Sequence, residues 1–445
     1  MAILQHPMEI ELLIIPEWII TVDSANQVLR HHAIAVDDNR IVGIMPTSEA
    51  EKRYTPRQTV VLAQQAVLPG FVNAHTHVAM ALLKGLADDL PLMDWLQGHI
   101  WPAEARWADA SFVYDGAQLA IAEMIRSGTT CFNDMYFFPE ATAQAAEEAG
   151  IRACIGLIMI DFPTRWGNNP DDYLQKGLAL HDRLQANPLL TTAFAPHAPY
   201  TVSDDPLHKV LHLACELAIP IHMHVHETAF EVQQAVEQTG MRPLARLEKL
   251  GLLDKPFLAV HMTQLTDADI ALLAQKGTNV IHCPESNLKL ASGFCPVAKL
   301  TAAGVNVALG TDGNASNNDL DMLGEMRTAA LLGKAVAQDA SAIPAMQALR
   351  MATINGAQAL GLEADIGSLE VGKFADMIAV DLGTLEASPL YDPVSHLVYC
   401  TSRDQVTHTW VAGKALMANR QLTTLDIPAL LAKARAWQQK IGETP

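Results

Sequence analysis

No two cysteines in this sequence are spaced as C-x-x-C, and Cys131, Cys154, Cys215, Cys283, Cys295 and Cys400 are scattered. A disulfide framework is excluded by that pattern, and most of the six sit in apolar stretches where a free thiol is buried. A reducing compartment, the cytoplasm, follows as the expectation. Basic residues are scarce, 30 against 49 acidic ones, for a net charge of −19. Such a surface repels nucleic-acid phosphates and anionic membranes, so neither is expected as a partner. No apolar run reaches the roughly 20 residues that span a bilayer. The N-terminal stretch MAILQHPMEIELLIIPEW lacks a basic start and carries Glu9, Glu11 and Pro16, which argues against a signal peptide. Internal repeats and low-complexity segments are absent.

What is present is a 445-residue chain, 50% apolar and 18% charged, with ample material for a core. Residues 1–66 read as short strands, among them Glu9–Ile15, Ala33–Asp37, Arg40–Met45 and Thr59–Leu62, with turn residues such as Asp37-Asp38-Asn39 between them. From 67 to 366 short apolar runs alternate with Ala- and Leu-rich helical stretches. The runs are Val67–His75, Thr129–Asp134, Arg152–Asp161, Thr191–His197, Pro220–His226, Phe257–His261, Asn279–Cys283 and Asn306–Asp312. Parallel strands need crossover helices, so eight such units predict an α/β fold with a (β/α)8 TIM-like barrel. A doubly wound open sheet is the alternative. Residues 367–445 return to strands, with a hairpin at Gly367–Lys373, strands Ala375–Asp381 and His408–Ala412, and a last helix at Ile427–Ile441. The two flanking segments are expected to pair as one small β-sandwich, with the barrel inserted between them.

The eight runs end in His75-x-His77, Asp134, Asp161, His197, His224-x-His226-Glu227, His261, His282 and Asp312. Active sites of this barrel lie at the C-terminal rim of the strands, so these side chains meet at one mouth. Residues two apart on a strand share a face, which lets His75 and His77 chelate one ion. Three imidazoles and a carboxylate suit zinc with an open position for water. Any one histidine is better explained by a local hydrogen bond, but four candidate ligands on the first, fifth and eighth strand ends are not. His222 lies on the same face as His224 and could take its place. His226 reads as packed behind the site, and His282 as either pocket-lining or structural. The segment Leu83–Trp107, with Trp95 and Trp101, reads as a pocket cover or as a packed surface helix.

The stretches Leu68-Pro-Gly-Phe-Val-Asn-Ala-His-Thr-His77, His224-Val-His-Glu-Thr228, His282-Cys-Pro-Glu-Ser-Asn-Leu-Lys289 and Leu309-Gly-Thr-Asp-Gly-Asn-Ala-Ser-Asn-Asn318 resemble the amidohydrolase superfamily. More narrowly, they resemble its 5-methylthioadenosine/S-adenosylhomocysteine deaminases, over nearly the whole chain. The resemblance implies one divalent metal per subunit, zinc, held by His75, His77, His224 and Asp312. His261 would hydrogen-bond the water on that metal. His197 ends the fourth run where a two-metal site would carry a lysine. The implied reaction is attack of metal-activated hydroxide on C6 of an adenine ring. Asp312 would take the water's proton and Glu227 would protonate N1. Glu104 would bind the ribose hydroxyls, His197 the nucleoside, Ser316 the purine and Arg165 a charged 5′ tail. Leu157 stands where a second arginine would be expected. The implied partner is a small nucleoside, and family habit implies a homo-oligomer, a dimer or tetramer.

The rival substrates on the same metal site are adenosine, guanine, cytosine or a triazine. Amide-ring hydrolysis and a non-catalytic binding barrel are further alternatives, and both sit poorly with Glu227 beside an intact ligand set. Cytidine-type zinc deaminases use H-x-E with P-C-x-x-C, and this chain has neither.

Overall fold

The computed structural model of the protein describes residues 7–442. Residues 1–6, part of the stretch weighed above as a signal peptide, and residues 443–445 lie outside it. The N-terminal segment supplies β1 (Met8–Ile20), β2 (Val28–Arg30), β3 (His32–Asp37), β4 (Arg40–Pro46) and β5 (Tyr54–Pro69). The barrel strands are β6 (Phe71–Thr76), β7 (Thr129–Asp134), β8 (Arg152–Met159), β9 (Leu190–Pro196), β10 (Ile221–Val225), β11 (Phe257–His261), β12 (Asn279–His282) and β13 (Val307–Leu309). The C-terminal segment adds β14 (Met377–Asp381), β15 (Val406–Val411), β16 (Lys414–Ala418) and β17 (Gln421–Leu422).

Strands β6 to β13 form one parallel sheet in sequential order. A parallel bridge between Thr76 and Asp312 closes it, with the Asp312 amide donating to the His75 carbonyl at 3.0 Å. Every residue of these strands but Thr191 is buried, as parallel strands are when helices cover their outer face. The first large covering helix, Ala110–Ser127, is capped by the Asp109 carboxylate and ends at Gly128 with φ 94°. Small and branched side chains, among them Ala74, Cys131, Cys154, Ala193, Val260 and Ala308, fill the barrel interior below the rim.

The remaining nine strands form a mixed sheet in which both chain ends meet at β5. β5 pairs parallel with β1 and antiparallel with β14, where Val67 faces Ala379. Leu12, Ile34, Ile41, Leu62, Met377 and Trp410 share one apolar cluster, so neither segment buries its face without the other. A buried bidentate pair ties this unit to the barrel: Arg152 Nε and Nη2 donate to Asp376 Oδ2 and Oδ1 at 2.9 and 3.2 Å.

Two expectations change. The run Val67–His75 is two strands in two sheets, because Val67–Pro69 pair with β14 and the barrel begins at Phe71. Gly70 makes the joint, where a Cβ would lie 2.1 Å from the Thr130 side chain. Gly367–Lys373 is not a hairpin but a run of turns, with only Phe374 bridging to Arg40. Leu369 packs into the apolar cluster of the first strands, its amide donating to the Thr21 carbonyl, whereas Val371 is exposed. Among the described residues no helix is long and apolar enough to cross a membrane.

Candidate active site

Four buried side chains converge at the C-terminal mouth of the barrel: His75, His77, His224 and Asp312, with ligand atoms all within 4.8 Å of one another. Asp312 Oδ1 lies 3.4 Å from His75 Nε2 and 3.2 Å from His77 Nε2, and the Nε2 atoms of His77 and His224 are 3.3 Å apart. Tetrahedral ligands about 2.1 Å from zinc stand roughly 3.4 Å from each other, so the spacing fits one such ion. The tautomers fit as well. His77 Nδ1 donates to the Met135 carbonyl and His224 Nδ1 to the His197 carbonyl, which leaves each Nε2 with a bare lone pair. His75 Nε2 is buried without a hydrogen-bond partner. Burial holds His224 well below the usual imidazole range. Burial raises Asp312, but the His75 and His77 rings beside it outweigh that and hold the carboxyl well below its range.

The local backbone explains the convergence. A Cβ at Gly310 would lie 2.8 Å from the His75 amide nitrogen, so only glycine lets the chain after β13 close on β6. Asp312 itself has φ 64°, and His261 and Met262 have φ 76° and 51°. Left-handed backbone at non-glycine residues costs about 1–3 kcal/mol each and concentrates at functional sites. Here it turns side chains at strand ends into the mouth.

Glu227 and His261 stand beside the cluster without joining it. His261 Nε2 is 3.7 Å from Glu227 Oε2, and both residues are buried. Burial, with the charges of Asp312 and Glu231, pushes the Glu227 carboxyl well above its ordinary range. Those surroundings favour the protonated acid over the carboxylate. Burial lowers His261 and His197 to about 3 each, so both rings are neutral.

Above them opens a cavity of about 440 Å³. Glu104, His197, Arg165 and Ser316 all line it, together with the metal-side groups. Burial raises Glu104 to about 7, while Tyr136 and His77 pull it the other way. Ser316 donates to the Gly313 carbonyl at 3.1 Å. Arg165 lies at the edge, donating to the Arg106 carbonyl at 2.8 Å and 3.6 Å from Asp109. Trp95 and Trp101 line the wall. They come from the helices Leu92–Trp95 and Trp101–Trp107, joined by a π-helical turn at Leu96–Ile100. The segment is therefore a pocket cover.

His222 is not in the cluster: its Nε2 lies 2.9 Å from His75 Nδ1, and Asn133 Nδ2 lies 3.2 Å from its other nitrogen. His226 is packed, accepting from the Leu244 amide at 3.1 Å and donating to the Gln264 carbonyl at 3.1 Å. His282 is buried and does not line the cavity. Sequence reasoning missed Glu231, whose carboxylate accepts the amides of His226 and Glu227 at 3.1 and 2.7 Å and fixes the turn that presents Glu227. Its spacing, four residues past Glu227 at a helix start, was the available signal. Ser286 and Asn287 left none beyond their place in a motif, and Asn133 none beyond its place in the run Thr129–Asp134.

Residues 66–416 match the model of the amidohydrolase family. The 5-methylthioadenosine/S-adenosylhomocysteine deaminase of Saccharophagus degradans is 52% identical over 431 residues, 97% of each chain. The protein of the same description from Teredinibacter turnerae is 51% identical over 96% of each. A crystal structure described as an adenosine deaminase from Xanthomonas campestris with bound zinc superposes with a TM-score of 0.97, at 52% identity over 99% of this chain and all of that one. The chain belongs to the amidohydrolase family, in its 5-methylthioadenosine/S-adenosylhomocysteine deaminase branch.

Proposed function

We propose that this protein hydrolytically deaminates 5′-thio-substituted adenosines, 5′-methylthioadenosine and S-adenosylhomocysteine, to the inosine analogues and ammonia. The observation that carries the reading is a buried Glu227, its carboxyl pushed well above the ordinary range, standing beside, not within, a four-ligand cluster at the floor of a nucleoside-sized cavity. His75, His77, His224 and Asp312 would hold one zinc ion. When bound, it supplies a Lewis acid that makes water acidic enough to act as a nucleophile at neutral pH. Asp312 is the carboxylate placed to accept a proton from that water, and Glu227 delivers one to N1 of the ring. His261 hydrogen-bonds at the reacting centre. Glu104 accepts the two ribose hydroxyls, His197 and Ser316 hold the nucleoside, and Arg165 receives a charged 5′ tail.

The relatives differ in what they are described as acting on, and one observation bears on that difference. Trp101 and Phe162 meet edge-on at the cavity mouth, centroids 6.3 Å apart, with Ile160 and Leu290 also in the lining. An apolar mouth favours a methylthio group over a hydroxyl by about 1–2 kcal/mol, or roughly tenfold. Arg165, engaged by Asp109 and Arg106, is the guanidinium left for a homocysteine carboxylate. The same reading places the protein in the cytoplasm, in keeping with its free cysteines, as a homo-oligomer by family habit.

The test is ammonia release from methylthioadenosine, S-adenosylhomocysteine, adenosine, guanine and cytosine compared by kcat/KM. Preference for the first two over adenosine supports the reading. Activity on a free base alone would discard the sugar contacts of Glu104, His197 and Arg165.

A further inference from the structure

Two consecutive residues reach the reacting groups from behind. Ser286 and Asn287 lie in the short helix Pro284–Lys289, fully buried, and neither lines the cavity. Backbone hydrogen bonds on both sides hold the turn: the Asn287 amide donates to Cys283 at 3.0 Å and the Ser292 amide to Asn287 at 2.9 Å. From it Ser286 Oγ donates to Asp312 Oδ2 at 2.7 Å, and Asn287 Nδ2 lies 3.0 Å from His261 Nδ1.

An amide nitrogen only donates, so His261 Nδ1 must accept, and the neutral ring then carries its proton on Nε2. The surroundings agree. Nε2 faces Glu227 Oε2 at 3.7 Å, and Asp312 adds further negative charge nearby. Reversing the amide would turn a bare Nε2 lone pair toward those same carboxyl oxygens. Ser286 meanwhile occupies Oδ2 of Asp312, while Oδ1, the oxygen nearest His75 and His77, accepts the Gly313 amide at 2.8 Å and faces the four-ligand cluster.

We propose that Asn287 is a positioning residue that fixes His261 as an Nε2–H donor toward the reacting atoms, with Ser286 orienting Asp312 from the preceding position. The proposal rests on the deaminase reading. Its chemical consequence is that His261 gives a hydrogen bond to an oxygen gaining charge and does not take a proton from water. Proton acceptance then falls to Asp312.

The experiment compares zinc-loaded, full-length Asn287→Ala, Asn287→Leu, His261→Ala and the His261→Ala/Asn287→Ala double variant on methylthioadenosine. Both Asn287 variants are expected to keep one equivalent of zinc, to hold KM within about twofold and to lose roughly 10- to 100-fold in kcat. In the double variant the Asn287 change adds nothing to His261→Ala. Wild-type turnover by Asn287→Leu, which keeps the volume but not the donor, overturns the proposal, as do losses that multiply in the double variant. Ser286→Ala is expected to yield zinc to a chelator faster than wild type, and Ser286→Thr to restore retention; equal retention in all three removes Ser286 from the device. If wild type leaves methylthioadenosine untouched, the deaminase reading fails by itself. The nitrogen-15 shifts of the His261 ring in the zinc protein then decide the tautomer: a protonated Nε2 sustains the proposal and a protonated Nδ1 ends it.

Discussion

Replacing Glu227 by glutamine tests the proton transfer on which the proposed chemistry turns. The side chain is 8% exposed, 3.7 Å from His261 and 3.5 Å from Ser292 Oγ, and it is not one of the four converging ligands. Glutamine keeps its shape and its hydrogen-bonding reach. Because burial already favours the uncharged acid, a neutral amide should alter stability by no more than about 1 kcal/mol. What it removes is a transferable proton. General acid catalysis contributes roughly 10²- to 10⁴-fold, so the barrier should rise by about 3–5 kcal/mol. The assay is kcat and KM on methylthioadenosine alongside bound zinc and thermal midpoint. The expected result is a kcat down at least a hundredfold, with one zinc retained and KM little changed. A Glu227→Gln protein that keeps its zinc and turns over near the wild-type rate refutes the shuttle role.

The other expectations concern ligand choice, pH and stability. His224→Ala should abolish stoichiometric zinc binding, whereas His222→Ala should weaken it without loss of the site, because His222 touches the metal only through His75; full zinc in His224→Ala would reverse the assignment. Glu104 in the free enzyme ionises near pH 7, and only the ionised form accepts two hydroxyls well. So kcat/KM for nucleosides should fall as pH drops below about 7, and Glu104→Gln should lack that limb; an unchanged profile contradicts the ribose role. Asp376→Asn leaves Arg152 buried without its counter-charge and should cost about 3–5 kcal/mol, read as a lower denaturation midpoint with KM unaltered. A loss within 1 kcal/mol would mean the pair does not latch barrel to sheet.

Much of the fold was legible because parallel strands covered by helices leave a blunt signature, short apolar runs ending in polar residues. The H-x-H pair and the strand-end His224 and Asp312 stood out because four candidate ligands fell at equivalent ends of the first, fifth and eighth units. The break at Gly70 was not legible: Val67 to His75 is apolar on both sides of it, and only three-dimensional pairing separates β5 from β6. The choice between His222 and His224 was open on alternation alone. Hydrogen bonds decide it, since one ring faces the mouth and the other faces His75. Glu231, Ser286 and Asn287 act through backbone amides and buried side chains contributed by other elements, which no local pattern encodes.

The central claim, hydrolytic deamination at one metal centre built from His75, His77, His224 and Asp312, is tested most directly by titrating zinc into metal-free protein while following conversion of methylthioadenosine to methylthioinosine. Activity should rise linearly from zero and level off at one equivalent of zinc per chain, with one ammonia released for each nucleoside consumed. Turnover by the metal-free protein, a requirement for a second equivalent, or loss of substrate without ammonia would contradict it.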